Sequence, residues 1–201
     1  KQYVIKEYFA DYFLHNSDVT FDLSTNEMQV HDKKGENWKV TILDTGLNTM
    51  TGGRVLRAKQ YLENERFLLT YGDGVADVDL NALLAFHEQH GGIATMTTVS
   101  LAQQKGVLEK DDKGQILAFR EKNDEDAAII NGGFMVLEPK VFDYLEGDAT
   151  VLEQEPMRKL AAEGQLFGYA HDGFWQCMDT QREKEKLETL WDEDKAPWKR
   201  W

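Results

Sequence analysis

The most informative hydrophobic pattern in the chain is the apolar run from Phe67 to Tyr71, which stops at Gly72-Asp73-Gly74. A run of this length predicts a strand buried on both faces, and the glycines let the backbone turn sharply beside a ligand. Helically spaced apolar residues over 80–90 and an apolar segment at 93–101 complete a β-loop-α-β unit. Ligands gather where the strands of such units end, so Asp73 is predicted to face a binding site. Alternatively, Asp73 only orders the turn.

The N-terminal pattern predicts a helix followed by strands. One helical face is apolar and consists of Ile5, Phe9, Tyr12 and Phe13. Alternating segments at 19–23 and 28–31 predict a hairpin, and the alternating segment 38–44 predicts a strand that runs inward. The helix has no capping signal at its start, so we expect residues upstream of Lys1 and interpret the chain as a fragment.

The rest of the chain alternates predicted strands and helices. Strands are predicted at 106–109, 115–119, 127–130, 134–137 and 168–178. Helices are predicted at 55–62, 141–145, 152–161 and 181–191, the last beginning with a capping box of Thr180 and Glu183. This alternation indicates the α/β class with a mostly parallel sheet. We predict an α/β domain over residues 1–180 and a C-terminal helix and tail over 181–201.

Composition restricts the class of partner. The 201 residues carry a formal net charge of −13, which argues against nucleic acid and anionic membrane surfaces, because both require clustered Lys and Arg. No apolar run approaches the roughly 20 residues of a membrane span. Cys177 is the single cysteine, so an internal disulfide is excluded and a reducing cytoplasm is the simplest location.

Two further segments carry candidate chemistry. Two glycines lie between hydroxyl residues and Arg54, where the predicted helix 55–62 opens. Such a helix start can present backbone N–H groups and a cation to an anion, although an ordinary glycine loop with a solvated Arg54 explains the same pattern. At the C terminus, Trp198 and Trp201 either attach the tail to the protein body or to another subunit, or belong to a frayed end.

Motifs that are weak alone occur in one fixed order, namely Thr49–Arg54, Tyr71–Asp77, Phe119–Lys122, Ile130–Phe134 and Gly173–Thr180. Together they resemble the bacterial sugar-phosphate nucleotidyltransferases over essentially the whole chain. The first motif and the closing Ala196–Lys199 segment favour the cytidylyl branch. The resemblance implies a Rossmann-like α/β domain with a mostly parallel mixed sheet and a small β appendage, assembled as a homo-oligomer.

The resemblance also implies a reaction. Members of the cytidylyl branch transfer a cytidylyl group from CTP to α-D-glucose 1-phosphate, with Mg²⁺, and release CDP-glucose and pyrophosphate. The product serves dideoxyhexose and lipopolysaccharide O-antigen synthesis. The family begins with a strand and a glycine-rich loop that grips the CTP phosphates, and nothing in residues 1–201 corresponds to them. We therefore expect these residues alone to transfer little or nothing.

Two smaller departures affect the expected site. Lys105 stands where the family has an aromatic residue, which puts details of the sugar pocket near it in doubt. Asn123 stands where the family has proline, which puts the shape of the loop around Lys122 in doubt.

Site roles follow from the resemblance residue by residue. Asp73 and Asp179 are the implied Mg²⁺ ligands and, with Lys122, the implied catalytic residues; two carboxylates with phosphate oxygens and waters suit this ion. The implied nucleotide-binding residues are Thr49, Arg54 and Gly72. The implied sugar-phosphate-binding residues are Lys122, Glu121, Asn131 and Gly133. Asp179 has an alternative role as an acid at a helix start, and Lys122 as a solvated lysine in a charged run.

Two other functions fit the same residues. A metal-dependent glycosyltransferase places a similar acidic pair near a nucleotide-sugar, and pyrophosphate release from CTP and glucose 1-phosphate separates it from a nucleotidyltransferase. A non-catalytic module that only binds or oligomerises is the other alternative. An assay that compares the 201 residues with the complete reading frame separates it from an enzyme.

Overall fold

The computed structural model describes residues 2–31, 35–62, 64–101, 107–110, 116–120 and 128–200. The chain divides into two compact units, Lys1–Thr49 and Met50–Trp201. This division differs from the predicted boundary after residue 180, because the helix that begins at Gln181 packs on the strand Trp175–Cys177 of the second unit. Across these described ranges, every helix is too short or too polar to cross a membrane.

The first unit contains two helices and a hairpin. They are α1 (Gln2–Ala10), α2 (Tyr12–Asn16), β1 (Asp18–Asp22) and β2 (Glu27–His31). β1 and β2 pair antiparallel, and Asp22 Oδ1 holds their turn by accepting the N–H of Ser24 at 2.9 Å. The predicted helix and hairpin are confirmed, although the helix is broken between α1 and α2.

The strand predicted at 38–44 is wrong. Residues 35–49 form neither helix nor strand, and Trp38 is 66% exposed. An alternating sequence becomes a strand only where a neighbour accepts its hydrogen bonds. Among the described residues of this unit, β1 and β2 pair only with each other.

The second unit contains the α/β layers. In chain order its elements are α3 (Thr51–Ala58), β3 (Phe67–Thr70), β4 (Gly74–Ala76), α4 (Leu80–His90), β5 (Ala94–Leu101), β6 (Val107–Lys110), β7 (Ile116–Arg120), β8 (Ala128–Leu137), α5 (Glu155–Ala162), β9 (Leu166–His171), β10 (Trp175–Cys177) and α6 (Gln181–Asp192). Short 3₁₀ helices cover Lys59–Tyr61 and Pro139–Tyr144. Asp79 caps α4 by accepting the N–H groups of Asn81 and Ala82, and the predicted capping box of α6 is confirmed.

A mixed four-stranded sheet forms the centre of this unit, with strand order β3-β8-β5-β9. β8 runs antiparallel to β3 and β5, and β9 runs parallel to β5. The predicted α/β class with a mixed sheet is confirmed, and three of the four strands share one direction. However, β8 lies between β3 and β5, so the two strands of the predicted β-loop-α-β unit are not neighbours. β6 and β7 form a separate antiparallel pair.

The sheet is covered on both faces, as β8 shows most clearly. Met135 and Leu137 join a cluster that includes Leu160 of α5, and all three are at most 1% exposed. Val136 points to the opposite face, where it packs with Leu83 of α4. Successive side chains of a strand alternate between faces, so this unbroken apolar run reflects burial on both sides.

Two features fix the surroundings of the site. β4 and β10 pair antiparallel, with Gly74 opposite Cys177. After α6, the Trp198 ring stacks on Phe174 with centroids 5.3 Å apart, and Arg200 Nη2 lies 3.5 Å from Asp77 Oδ2. Trp198 therefore attaches the tail to the protein body and does not belong to a frayed end.

Candidate active site

A cavity of about 270 Å³ opens beside the β4–β10 pair. Its walls come from the end of β3, the start of β4, the middle of β8, β10, and Asp179 just beyond β10. The lining residues are Thr70, Tyr71, Asp73, Gly74, Ile130, Asn131, Gly132, Gly133, Phe134, Trp175, Cys177 and Asp179. Four of the residues predicted for the site, Asp73, Asn131, Gly133 and Asp179, therefore share one cavity.

The strand pairing explains why Asp73 and Asp179 meet. Gly74 of β4 pairs with Cys177 of β10, and the Met178 N–H donates to the Asp73 carbonyl oxygen at 2.8 Å. Asp73 comes one residue before Gly74, and Asp179 comes two residues after Cys177. Both aspartates therefore lie just beyond the same end of the β4–β10 pair. Gly72 precedes them, and a Cβ built on Gly72 has no heavy atom within 4 Å, so this position opens onto free space.

The surroundings of Asp179 are acidic. One ligand atom each of Cys177, Asp179 and Glu183 lies within 4.8 Å of the others. Glu183 is already used, because its Oε2 accepts the N–H and the hydroxyl of Thr180 at 2.8 and 2.9 Å in the capping box. Thr180, not Asp179, caps α6. Asp179 therefore does not cap α6, and its alternative role as an acidic charge beside the helix start stays a prediction.

Cys177 is a poor candidate for a nucleophile. Burial, followed by its hydrogen bond to Asp179, raises the pKa of this thiol. A thiol is nucleophilic only as the thiolate. A raised pKa therefore favours a packing role for Cys177 over a nucleophilic one. This agrees with the absence of any need for a nucleophilic side chain in nucleotidyl transfer.

The Asn131–Gly133 segment is held rigidly at the cavity wall. Asn131 Oδ1 accepts the Gly133 N–H at 2.8 Å, and Trp175 Nε1 donates to the Gly132 carbonyl at 2.7 Å. Gly133 has φ of +80°, and a Cβ there would lie 2.9 Å from Tyr71 Cδ2. Two independent constraints therefore demand glycine at 133, a left-handed backbone and a ring in contact.

The Thr-Gly-Gly-Arg motif opens α3, but its glycines serve packing. A Cβ on Gly52 would lie 2.8 Å from Thr150 Cγ2 and 2.9 Å from the Thr150 carbonyl oxygen. The Gly53 N–H donates to that same oxygen at 3.2 Å. The expectation that this amide points at an anion is therefore wrong for Gly53, because a neighbouring loop already uses it. Arg54 is exposed on the first turn of α3.

The remaining predicted residues fall elsewhere. Thr49 is the last residue of the first unit and is buried. Glu121 and Lys122, together with Lys105 and Asn123, lie outside the described residues. The roles assigned to Thr49, Arg54, Glu121 and Lys122 stay predictions.

Sequence reasoning missed three residues that shape the site. Tyr71 ends a predicted strand and has no predicted role, yet its ring lies against Gly133. Trp175 belongs to the Gly173–Thr180 motif and likewise has no predicted role. Glu153 accepts a hydrogen bond from the Tyr71 hydroxyl at 2.5 Å. The sequence carries one signal for them, the pair Gly132-Gly133, because glycine inside a strand often marks close approach of another group to the backbone.

A larger surface depression of about 1430 Å³ lies beyond the other end of β8. Several of its charged groups bind one another. Arg66 donates to Glu138 at 2.6 Å and to Glu88 at 2.9 Å, and His87 Nε2 lies 3.1 Å from Glu138 Oε1. None of the described residues predicted for the site lies there, so the smaller cavity is the candidate active site.

Comparisons with known proteins identify the family. A family model described as "Nucleotidyl transferase" matches residues 3–177. The chain belongs to this family. It is 53% identical to a glucose-1-phosphate cytidylyltransferase from Salmonella typhi, over 100% of this chain and 78% of that protein. It is 45% identical to a probable glucose-1-phosphate cytidylyltransferase from Bacillus subtilis, over 98% of this chain and 77% of that protein.

Solved structures show the same fold at low sequence identity. HddC from Yersinia pseudotuberculosis aligns with a TM-score of 0.52 at 17% identity, over 70% of this chain and 61% of that chain. A putative glucose-1-phosphate thymidylyltransferase from Bacillus anthracis aligns with a TM-score of 0.53 at 15% identity, over 72% of this chain and 62% of that chain. The predicted resemblance, fold class and enzyme class are confirmed, and the nucleotidyltransferase family displaces the glycosyltransferase alternative.

Proposed function

We propose that this protein transfers the cytidylyl group of CTP to α-D-glucose 1-phosphate and releases CDP-glucose and pyrophosphate. The observation that carries the proposal is the 53% identity, over the whole chain, with a protein named glucose-1-phosphate cytidylyltransferase. The cavity supports it, because residues distant in sequence meet there with the chemistry that the reaction needs. We further propose a homo-oligomer that works in the cytoplasm and supplies O-antigen synthesis.

The donor set at the cavity fits Mg²⁺. Asp73 and Asp179 offer hard carboxylate oxygens at one wall, and Mg²⁺ is typically held by one or two carboxylates plus phosphate oxygens and waters. We assign these two aspartates as its ligands. When bound, the ion would supply Lewis-acid polarisation of phosphate oxygens and a template for the two substrates.

The residues of the chain itself would position the two substrates. Phosphoryl transfer depends almost entirely on alignment and electrostatic stabilisation. The rigid Asn131–Gly133 wall presents an amide side chain and a fixed backbone to the sugar. Gly72 leaves open space beside Asp73 for close approach of the nucleotide. A cavity of about 270 Å³ lies just below the roughly 300–1,000 Å³ usual for small-molecule sites, so it suits one sugar phosphate rather than both substrates.

The residues outside this wall complete the proposal. Lys122, with Glu121 beside it, would bind the sugar phosphate, since an ammonium is a compact charge that suits a phosphate. Thr49 and Arg54 would bind the nucleotide. A protein with a net charge of −13 needs such local cations, because two anionic substrates must be brought together.

A product assay tests the proposal. This chain spans 78% of the Salmonella typhi protein, so the assay uses the complete reading frame that contains these residues. Glucose 1-phosphate is supplied with CTP, and with UTP and dTTP as competing nucleotides. We expect CDP-glucose as the product, with an equimolar amount of pyrophosphate. Transfer of the glucosyl group to an acceptor without CDP-glucose formation, or no pyrophosphate with any nucleotide, would contradict the proposal.

A further inference from the structure

We propose that Glu153 is a positioning residue that couples the start of α3 to the Asn131 wall of the cavity through Tyr71. The inference rests on the proposed function, since it concerns the sugar side of that site. Glu153 lies in the loop before α5, next to Leu152, which is 1% exposed. None of the motifs contains it.

One carboxylate receives hydrogen bonds from both sides. Glu153 Oε1 accepts the Tyr71 hydroxyl at 2.5 Å, and Oε2 accepts the Thr51 hydroxyl at 2.6 Å. Thr51 Oγ1 in turn accepts the Leu152 N–H at 2.9 Å. Thr51 is the first residue of α3, so the loop, the helix start and the end of β3 meet at Glu153.

The hydrogen-bond directions on the cavity side are fixed by chemistry. Asn131 Oδ1 accepts the Gly133 N–H at 2.8 Å, so the Asn131 amide group turns its Nδ2 toward Tyr71. Nδ2 donates to the Tyr71 hydroxyl oxygen at 3.3 Å. The phenol has a single hydrogen, and Glu153 is its acceptor. Each donor thus has one partner, and the chain of bonds ends on a carboxylate that can only accept.

Tyr71 links Glu153 to the cavity wall. A phenol can donate its single hydrogen to Glu153 and accept from Asn131 at the same time. Its ring also lies against Gly133, so a shift of Tyr71 would move the wall that faces the sugar.

The structure offers a matched control. On the surface of the same unit, Glu163 Oε2 accepts the Tyr144 hydroxyl at 2.5 Å. Neither residue lines the 270 Å³ cavity. Glu163→Ala therefore deletes the same kind of tyrosine–glutamate bond without touching the site.

The kinetic test uses the complete reading frame. Glu153→Ala should raise the KM for glucose 1-phosphate about tenfold, the loss typical of one hydrogen bond to a charged group, with a smaller change in kcat. Glu153→Gln should recover part of this loss, because its amide oxygen still accepts the Tyr71 hydroxyl. Glu163→Ala should leave both constants unchanged. Equal effects of Glu153→Ala and Glu163→Ala would overturn the proposal.

A double variant tests coupling. Because Glu153 acts through Asn131, Glu153→Ala combined with Asn131→Ala should raise the KM no further than Asn131→Ala alone. Effects that multiply would show independent roles and overturn the proposal.

Amide hydrogen exchange separates this inference from the proposed reaction. The Gly133 N–H, which donates to Asn131 Oδ1 at 2.8 Å, should exchange faster in Glu153→Ala than in wild type and at the wild-type rate in Glu163→Ala. Equal exchange in Glu153→Ala and wild type would overturn the inference whatever the reaction. If exchange is faster in Glu153→Ala but the wild-type protein makes no CDP-glucose, the proposed function is overturned and, with it, the catalytic consequence of Glu153.

Discussion

Gly133 shows how single residues define the cavity. Its backbone adopts φ of +80°, and the Tyr71 ring occupies the space that a Cβ would need. An L-residue in the left-handed region costs roughly 1–2 kcal/mol, and a close contact with a packed ring adds to that cost. The glycine is thus required by backbone and by packing together.

Comparison with Gly164 separates these two contributions. Gly164 also has positive φ, +67°, but a Cβ there has no heavy atom within 4 Å. Gly133→Ala should therefore lower the free energy of unfolding by at least about 1 kcal/mol more than Gly164→Ala. Urea denaturation of the two variants measures the difference. Equal losses would show that the Tyr71 contact contributes nothing.

At the scale of elements, α4 and β5 are joined by a directed hydrogen-bond chain. The Gly92 N–H donates to His90 Nδ1 at 2.9 Å, so neutral His90 carries its hydrogen on Nε2, which lies 2.7 Å from Thr95 Oγ1. The Thr95 hydroxyl then donates to His87 Nδ1 at 2.8 Å, and His87 Nε2 donates to Glu138. A proton added to His90 Nδ1 would displace the Gly92 N–H and break the chain at its first bond.

This chain makes stability depend on pH. Burial lowers the pKa of His90 below its usual 6.5. The unfolded chain therefore binds more protons just below pH 6.5, and the free energy of unfolding falls as the pH drops through that range. His90→Gln should reduce the loss in melting temperature between pH 7.5 and 5.5 by about 2 °C, a shift of under 1 kcal/mol for a chain of this size.

The exposed His15 provides the control, because it lies in α2 on the surface. His15→Gln should leave the difference in melting temperature between pH 7.5 and 5.5 as it is in wild type. An equal reduction in both variants would contradict the role of His90.

Elements were predictable where the signal was local. The predicted Thr180–Glu183 capping box depends on neighbours within a few residues and occurs in the structure. The cap of α4 at Asp79 and its end at Gly91 are equally local features. The insertion of β8 between β3 and β5 was not predictable, because strand order is decided by contacts between segments about sixty residues apart, with no local mark. The false strand at 38–44 failed for the same reason, since a strand requires a partner.

At the scale of the whole molecule, the order of the motifs carried more information than any one of them. The aspartates 73 and 179 could be placed at one site because both follow predicted strands and belong to ordered motifs, and the β4–β10 pair brings them to one cavity. Glu153 could not be found in this way. Its partners, Thr51 and Tyr71, become neighbours only when the loop before α5 folds over the start of α3.

The acidic character of the whole chain adds a reason for the proposed metal. With a net charge of −13, the protein repels anions at long range, so the attraction of two phosphorylated substrates must be local. Asp73 and Asp179 would increase that repulsion without a cation. We therefore expect activity to depend on a divalent ion held at these positions.

The most direct measurement is the Mg²⁺ dependence of CDP-glucose formation in Asp179→Asn, with Asp192→Asn as control, both in the complete reading frame. Asp192 is an exposed carboxylate at the end of α6. We expect Asp179→Asn to lose at least about 10²-fold in rate at any Mg²⁺ concentration, since a catalytic metal supplies several kcal/mol, while Asp192→Asn stays at the wild-type rate. Near-normal turnover of Asp179→Asn, with the wild-type response to Mg²⁺, would contradict the account.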